Sequence, residues 1–162
     1  MSQNFQPLRG FRDLMGEDVA RLAQVESVAI KVLQGYGYNE IRLPLLEVTS
    51  LFDRSIGEST DTVSKEMYTF ELRDGSQVSL RPEATASCVR ALLDSGAIRG
   101  SRPKWWYAGP MFRHEKPQRG RFRQFYQVGA EAFGYGDPDI DVEMICITAD
   151  LLNALGELES AQ

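Results

Sequence analysis

The sequence predicts an α+β fold, a mainly antiparallel sheet flanked by helices. Two observations carry this reading. Apolar residues recur at helical spacing in three separate stretches, and aromatic or β-branched runs between them flank turn residues as hairpins. The order is helix, strand, hairpin, helix, hairpin, helix. With 162 residues, 43% of them hydrophobic, the chain is long enough for one domain with a real core, spanning 1–156 and followed by a short tail at 157–162.

Residues 1–16 read as an irregular arm with turn chemistry at Arg9-Gly10 and Met15-Gly16. Val19, Leu22, Val25, Ala29, Ile30 and Leu33 then share one helix face, and Gly35 and Gly37 stop it. NEIRLPLL (39–46) is strand-like, but Pro44 has no N–H to give a ladder, which assigns the segment to an edge or to a place where another chain docks. Residues 47–66 are polar and read as a long excursion. A hairpin follows, 67–72 and 77–80 about a turn at Asp74-Gly75. RPEATASCVRALLDSG changes to helical period and ends at Gly96. WWYAGPMFR and FRQFYQVGAEAFG are the arms of a second hairpin. The last helix begins near Asp137 or Asp139, buries Ile140, Met144, Ile145, Thr148, Leu151, Leu152 and Leu155, and stops at Gly156.

A net charge of −5 argues against attraction to nucleic acid or anionic membrane over the whole surface, so any polyanion must be met by a local patch. Cys88 and Cys146, far apart and without a CxxC, read as reduced, mostly buried thiols. The N-terminus lacks a basic-then-apolar signal pattern and no apolar run approaches about 18 residues, which predicts a soluble, cytoplasmic protein.

The local patch is the second hairpin. Five of the eighteen basic residues, Arg113, Lys116, Arg119, Arg121 and Arg123, fall within eleven positions beside His114, the only histidine. In the second arm, alternation puts Arg123, Phe125, Gln127, Gly129, Glu131 and Phe133 on one face, with an apolar set on the other suited to a layer of helices. Gln127 and Glu131 stand roughly 13 Å apart along the strand with Gly129 between them, a floor for a small polar ligand. The alternative is an ordinary solvent-facing side of a sheet. Arg113 beside that floor offers a planar fork for phosphate, and Glu115 is available to a metal ion or an amine. The tip KPQRGR is too polar to bury and suits a nucleic-acid backbone. In LRPEATA (80–86), Glu83 and Thr85 read either as a helix-start signal or as a carboxylate and hydroxyl that hold an ammonium group.

RLPLLE, TFELRDGSQVSLRPEATA and WYAGPMFRHEKPQRGRFRQFYQVGAEAFG resemble the N-terminal part of the catalytic domain of bacterial histidyl-tRNA synthetase. FRHE with its basic loop is similar to the second signature motif of class II aminoacyl-tRNA synthetases, and the segment around Pro44 resembles the first. The resemblance runs from PLRGFRD to the helix ending at Gly156. It implies activation of L-histidine with ATP to histidyl-adenylate and pyrophosphate, then transfer of histidine to the 3′ end of tRNA(His). It further implies that Glu83 and Thr85 hold the α-amino group, and that Gln127 and Glu131 read the bound histidine. Arg113 would contact the ATP α-phosphate and the histidine carboxylate, with Gln127 beside it in the catalytic set. Glu115, Arg121 and Phe125 would place ATP, Glu115 with a possible Mg2+ contact. Lys116, Gln118, Arg119 and Arg123 would meet the tRNA acceptor end, and the segment around Pro44 would form a homodimer interface.

The family's usual RPEGTA reads RPEATA here, which the methyl of Ala84 permits unless that backbone needs a positive φ. After Gly156 only ELESAQ follows, so the family's histidine-specific segment, third motif and anticodon-binding domain are absent from this sequence. The expectation is a fragment with weak adenylation and weak tRNA binding of its own. Two other readings compete: a non-charging relative, the regulatory subunit of ATP phosphoribosyltransferase, and a plain RNA-binding hairpin. The retained basic loop argues against the first and the acidic remainder against the second.

Overall fold

A computed structural model describes residues 5–55, 66–96, 100–116 and 120–156. The elements are α1 (Glu17–Gly35), β1 (Asn39–Glu40), β2 (Leu46–Val48), α2 (Thr49–Ser55), β3 (Thr69–Glu71), β4 (Gln77–Leu80), α3 (Thr85–Asp94), β5 (Lys104–Phe112), β6 (Gln124–Ala132) and α4 (Asp139–Ala154). Two compact units share this chain. The first comprises Met1–Leu14, Leu43–Ala91 and Gly109–Gln127; the second comprises Met15–Arg42, Leu92–Ala108 and Val128–Gln162. The strands β5 and β6 contribute residues to both.

In the first unit, β4 lies between β2 and β3, antiparallel to each, with Leu46 opposite Leu80 and Thr69 opposite Ser79. The β3–β4 turn is local chemistry. Asp74 Oδ1 accepts the Ser76 N–H at 3.0 Å and its hydroxyl at 2.6 Å, while Gly75 takes φ +84°. Phe52, Val78, Ala84, Ala86, Cys88, Met111 and Phe112 are buried here. So is Arg81, whose Nε donates to the Pro110 carbonyl and whose Nη1 donates to the Leu43 carbonyl, both at 3.1 Å.

In the second unit, β1 pairs parallel with β5, Asn39 opposite Trp105. The core gathers Leu33, Tyr38, Trp106 and Ile147, with Val128, Ala130 and Ala132 of β6 packed against it. The even-numbered face of β6 therefore meets the helices, as alternation predicts. Between β5 and β6, the Arg113 N–H donates to the Arg123 carbonyl (2.9 Å) and the Phe133 N–H to the Pro103 carbonyl (3.0 Å). The strands are antiparallel in a register that sets Tyr107 opposite Gly129.

Four sequence expectations change. The strand expected over 39–46 is two short edge strands in different sheets, because the chain around Pro44 leaves the ladder. Part of the polar excursion is regular: β2 continues to Val48 and α2 follows, while 56–65 lie outside the described residues. On α1, Ala29 and Leu33 are buried but Val19 and Val25 are exposed, so only the C-terminal half of its apolar face is covered. On α4, Ile147 rather than Ile145 is buried; Ile145 is 69% exposed, and the same orientation leaves Cys146 exposed while Cys88 is buried.

Candidate functional site

The basic hairpin of the first unit folds around a cleft. Arg113 leaves the end of β5 at its wall, and its Nε donates to the Pro82 carbonyl at 2.9 Å. That bond fixes one edge of the guanidinium and leaves its other nitrogens pointing onward. The same group lies 5.2 Å from the centroid of the Phe125 ring. Glu115 approaches Arg113 at 3.9 Å and Arg121 at 3.3 Å, so one carboxylate bridges two guanidiniums. Glu66, Arg113, Glu115, Gly120, Arg121, Phe122 and Phe125 enclose about 510 Å³. The arrangement offers cationic forks to an anion and ring faces to a planar group.

Glu83 caps α3. Its two carboxylate oxygens accept the N–H groups of Thr85 (3.2 Å) and Ala86 (3.1 Å), so the helix-start reading holds for its resting contacts. An ionised carboxylate has about four acceptor positions, which leaves room for an ammonium donor as well. Because Arg113 bonds the carbonyl of Pro82, the cap and the cleft wall meet through one peptide.

The sequence-predicted floor divides between the units. Gln127 belongs to the first, two positions after Phe125; Gly129 and Glu131 belong to the second. In the second unit Gly129 does not leave a gap. A Cβ built on it would come within 2.3 Å of Cζ and Oη of Tyr107, whose ring lies across the glycine. The expectation of open space there is corrected: the space is filled by an aromatic side chain from the facing strand.

These positions can now be set beside known proteins. The model of the histidyl-tRNA synthetase family matches residues 10–162. The chain belongs to the histidyl-tRNA synthetase family. It is 56% identical over 155 residues to the histidine–tRNA ligase of Halorhodospira halophila, covering 96% of this chain and 37% of that protein. It is 54% identical to that of Alkalilimnicola ehrlichii, covering 96% and 36%. The apo histidyl-tRNA synthetase of S. aureus superposes with a TM-score of 0.77 at 31% identity, over 94% of this chain and 35% of that one. A Bacillus halodurans protein titled ATP phosphoribosyltransferase regulatory subunit/histidyl-tRNA synthetase has a TM-score of 0.82 at 23% identity (96% and 40% covered), a likeness of fold. The chain thus spans a little over a third of the curated relatives it matches.

The family's RPEGTA position is readily filled by Ala84. Ala84 is fully buried, and no non-glycine residue among those described has a positive φ. A metal ion fits less well. Glu115 already stands between two guanidiniums, and no group of three potential ligands occurs among the described residues.

Other members of the predicted set are placed as follows. Lys116 is exposed at the rim, and Gln118 and Arg119 lie outside the described residues. Arg123 is half-buried and bonded to backbone: its Nη1 donates to the Arg9 carbonyl (3.3 Å) and its Nε to the Glu115 carbonyl (3.4 Å). His114 is exposed, edge-on to the Tyr68 ring at 5.5 Å. Sequence reasoning missed Glu66 and Phe122 as cleft walls, Tyr107 over Gly129, and the buried Arg81. Arg81 follows directly on β4, whose sequence QVSL alternates polar and apolar residues, so no local pattern marked it.

Proposed function

We propose that this segment is the amino-terminal part of a histidine–tRNA ligase catalytic domain, residues 1–156 contributing to one synthetase domain. The observation that carries the reading is the cleft of the first unit, where Arg113, Glu115, Arg121 and Phe125 converge. ATP suits it: Phe125 offers a ring to the adenine, and Arg113 and Arg121 offer charge to the phosphates. In the activation step a histidine carboxylate oxygen attacks the α-phosphorus. The bond to the bridging oxygen breaks, and pyrophosphate departs with the electron pair. Arg113, held by Pro82, supplies fixed positive charge where negative charge builds on the α-phosphoryl oxygens. Glu83 and Thr85 would take the α-amino group, and Gln127 and Glu131 the remainder of the histidine. In the second step a hydroxyl oxygen of the terminal ribose of tRNA(His) attacks the carbonyl carbon of the adenylate; the bond to the phosphate oxygen breaks, AMP departs with that electron pair, and the hydroxyl proton is lost. Lys116, with Gln118 and Arg119, is the acceptor-end surface in this reading.

The titles of the curated relatives support the ligase. Against a histidine-sensing, non-charging relative stands the retained pair Arg113 and Arg121 at the cleft. The test is ATP–pyrophosphate exchange by the purified chain. Exchange that requires L-histidine and falls at least about 100-fold in Arg113→Ala supports activation by this segment. Histidine binding without exchange in the parent chain would reduce it to a recognition fragment.

A further inference from the structure

We propose that the N-terminal arm, residues 8–12, is a positioning element of this cleft, latched in place by Arg123. The proposal rests on reading the cleft as the ATP site, but the latch itself is independent of that reading. Arg123 is the hub. Its N–H donates to the Gly10 carbonyl at 2.7 Å, and its own carbonyl accepts the Arg113 N–H at 2.9 Å. Its guanidinium reaches the carbonyls of Arg9 and Glu115. One residue therefore ties the arm to the backbone of both Arg113 and Glu115, the charged walls of the cleft.

Two further contacts converge on the same place. Arg12 lies 4.2 Å from the centroid of Phe122, which lines the cleft. Phe11 meets the edge of Tyr68 (6.0 Å), and Tyr68 meets His114 (5.5 Å), the residue between Arg113 and Glu115. The arm has no helix or strand of its own, only the turn closed by the Phe11 N–H on the Leu8 carbonyl at 2.9 Å. Gly10 is what lets it close. Its φ is +89°, and a Cβ there would come within 2.7 Å of Cγ and Cδ of Arg123. Those atoms are the stem of the side chain and not its loose end, so they cannot yield without drawing the guanidinium off its two carbonyls. Arg123 is thus assigned to positioning rather than to tRNA.

The experiment compares the parent chain with Gly10→Ala and Arg123→Lys, which keeps the charge but loses the planar fork. Tryptic cleavage after Arg9 and Arg12 under native conditions reads the latch, and calorimetry with MgATP and with L-histidine reads its consequence. Both variants are expected to be cut faster within the arm and to bind MgATP about tenfold more weakly. Because Arg113 also serves the histidine carboxylate in this reading, histidine affinity should fall too, but by less than about threefold, a split that a merely structural loss would not produce. Unchanged cleavage in both variants overturns the latch. A released arm with unchanged MgATP affinity, or with both ligands weakened equally, overturns the positioning role. A parent chain that binds no MgATP would sink the ATP reading of the cleft and, with it, the positioning role, leaving the latch to be judged by cleavage alone. If Gly10→Ala does not fold, Arg123→Lys decides in the same way.

Discussion

The Tyr107 ring requires glycine at position 129. The ring lies where a side chain at 129 would stand, so Gly129→Ala drives a methyl into Cζ and Oη. The expected cost is about 2 kcal/mol by chemical denaturation, from overpacking a site that cannot relax by rotating a long side chain. In a Tyr107→Ala background the same substitution should cost less than half as much, and an additive double mutant would refute the pairing. Arg81 is the second residue whose role is contact rather than charge. Truncation to Ala strands the carbonyls of Pro110 and Leu43, with an expected loss of about 3 kcal/mol. Arg81→Lys should recover little, because a single ammonium lacks the fork that reaches both. Full stability in Arg81→Lys would show that charge, not shape, matters there.

At the scale of elements, α4 is fastened to β5 by an ion pair. Lys104 Nζ lies 2.7 Å from both oxygens of Glu143, and the Tyr38 hydroxyl donates to the same carboxylate at 2.9 Å. The Lys104 hydrogen bond, aided by Tyr38 and opposed by burial, holds the Glu143 carboxyl below its ordinary 4.5. Burial, and after it the hydrogen bond to the same carboxylate, pushes the Tyr38 phenol up. For a depressed carboxyl the unfolded state binds the proton more readily. Its stabilisation is therefore complete above the ordinary value of 4.5 and is lost as pH falls through the lower folded value. Glu143→Gln should lower the thermal midpoint at neutral pH and flatten the midpoint's decline between about pH 5 and pH 3. Parallel declines in the two proteins would mean that Glu143 does not carry this part of the acid sensitivity.

For the whole molecule, the segment around Pro44 is the surface to test. Leu45, Leu46 and Val48 are 44%, 48% and 53% exposed, and β2 is an edge strand. An apolar, unpaired edge favours pairing with another chain. We infer that this edge forms the homodimer interface the resemblance implies, so Leu46→Glu is expected to weaken dimerisation at least about tenfold in sedimentation equilibrium. A parent chain that stays monomeric at high micromolar concentration removes that reading. No described helix is long and apolar enough to cross a membrane.

What the sequence by itself determined is what local chemistry controls. Period identified α1, α3 and α4, turn residues identified both hairpins, and glycines at 37, 75, 96 and 156 took the positive φ their stops and turn require. The family resemblance named Arg113, Glu115, Arg121 and Phe125 as one set, and the four line one cleft. Only tertiary structure decided the rest. The strand expected across Pro44 became two because its halves found partners, β5 and β4, that lie far along the chain. Ile147 displaced Ile145 from the core because covering surface, and not period, selects which apolar residue is buried. Gly129 faces a ring, and Arg123 holds an arm 114 residues away, because cross-strand register and long-range hydrogen bonds are absent from any local pattern.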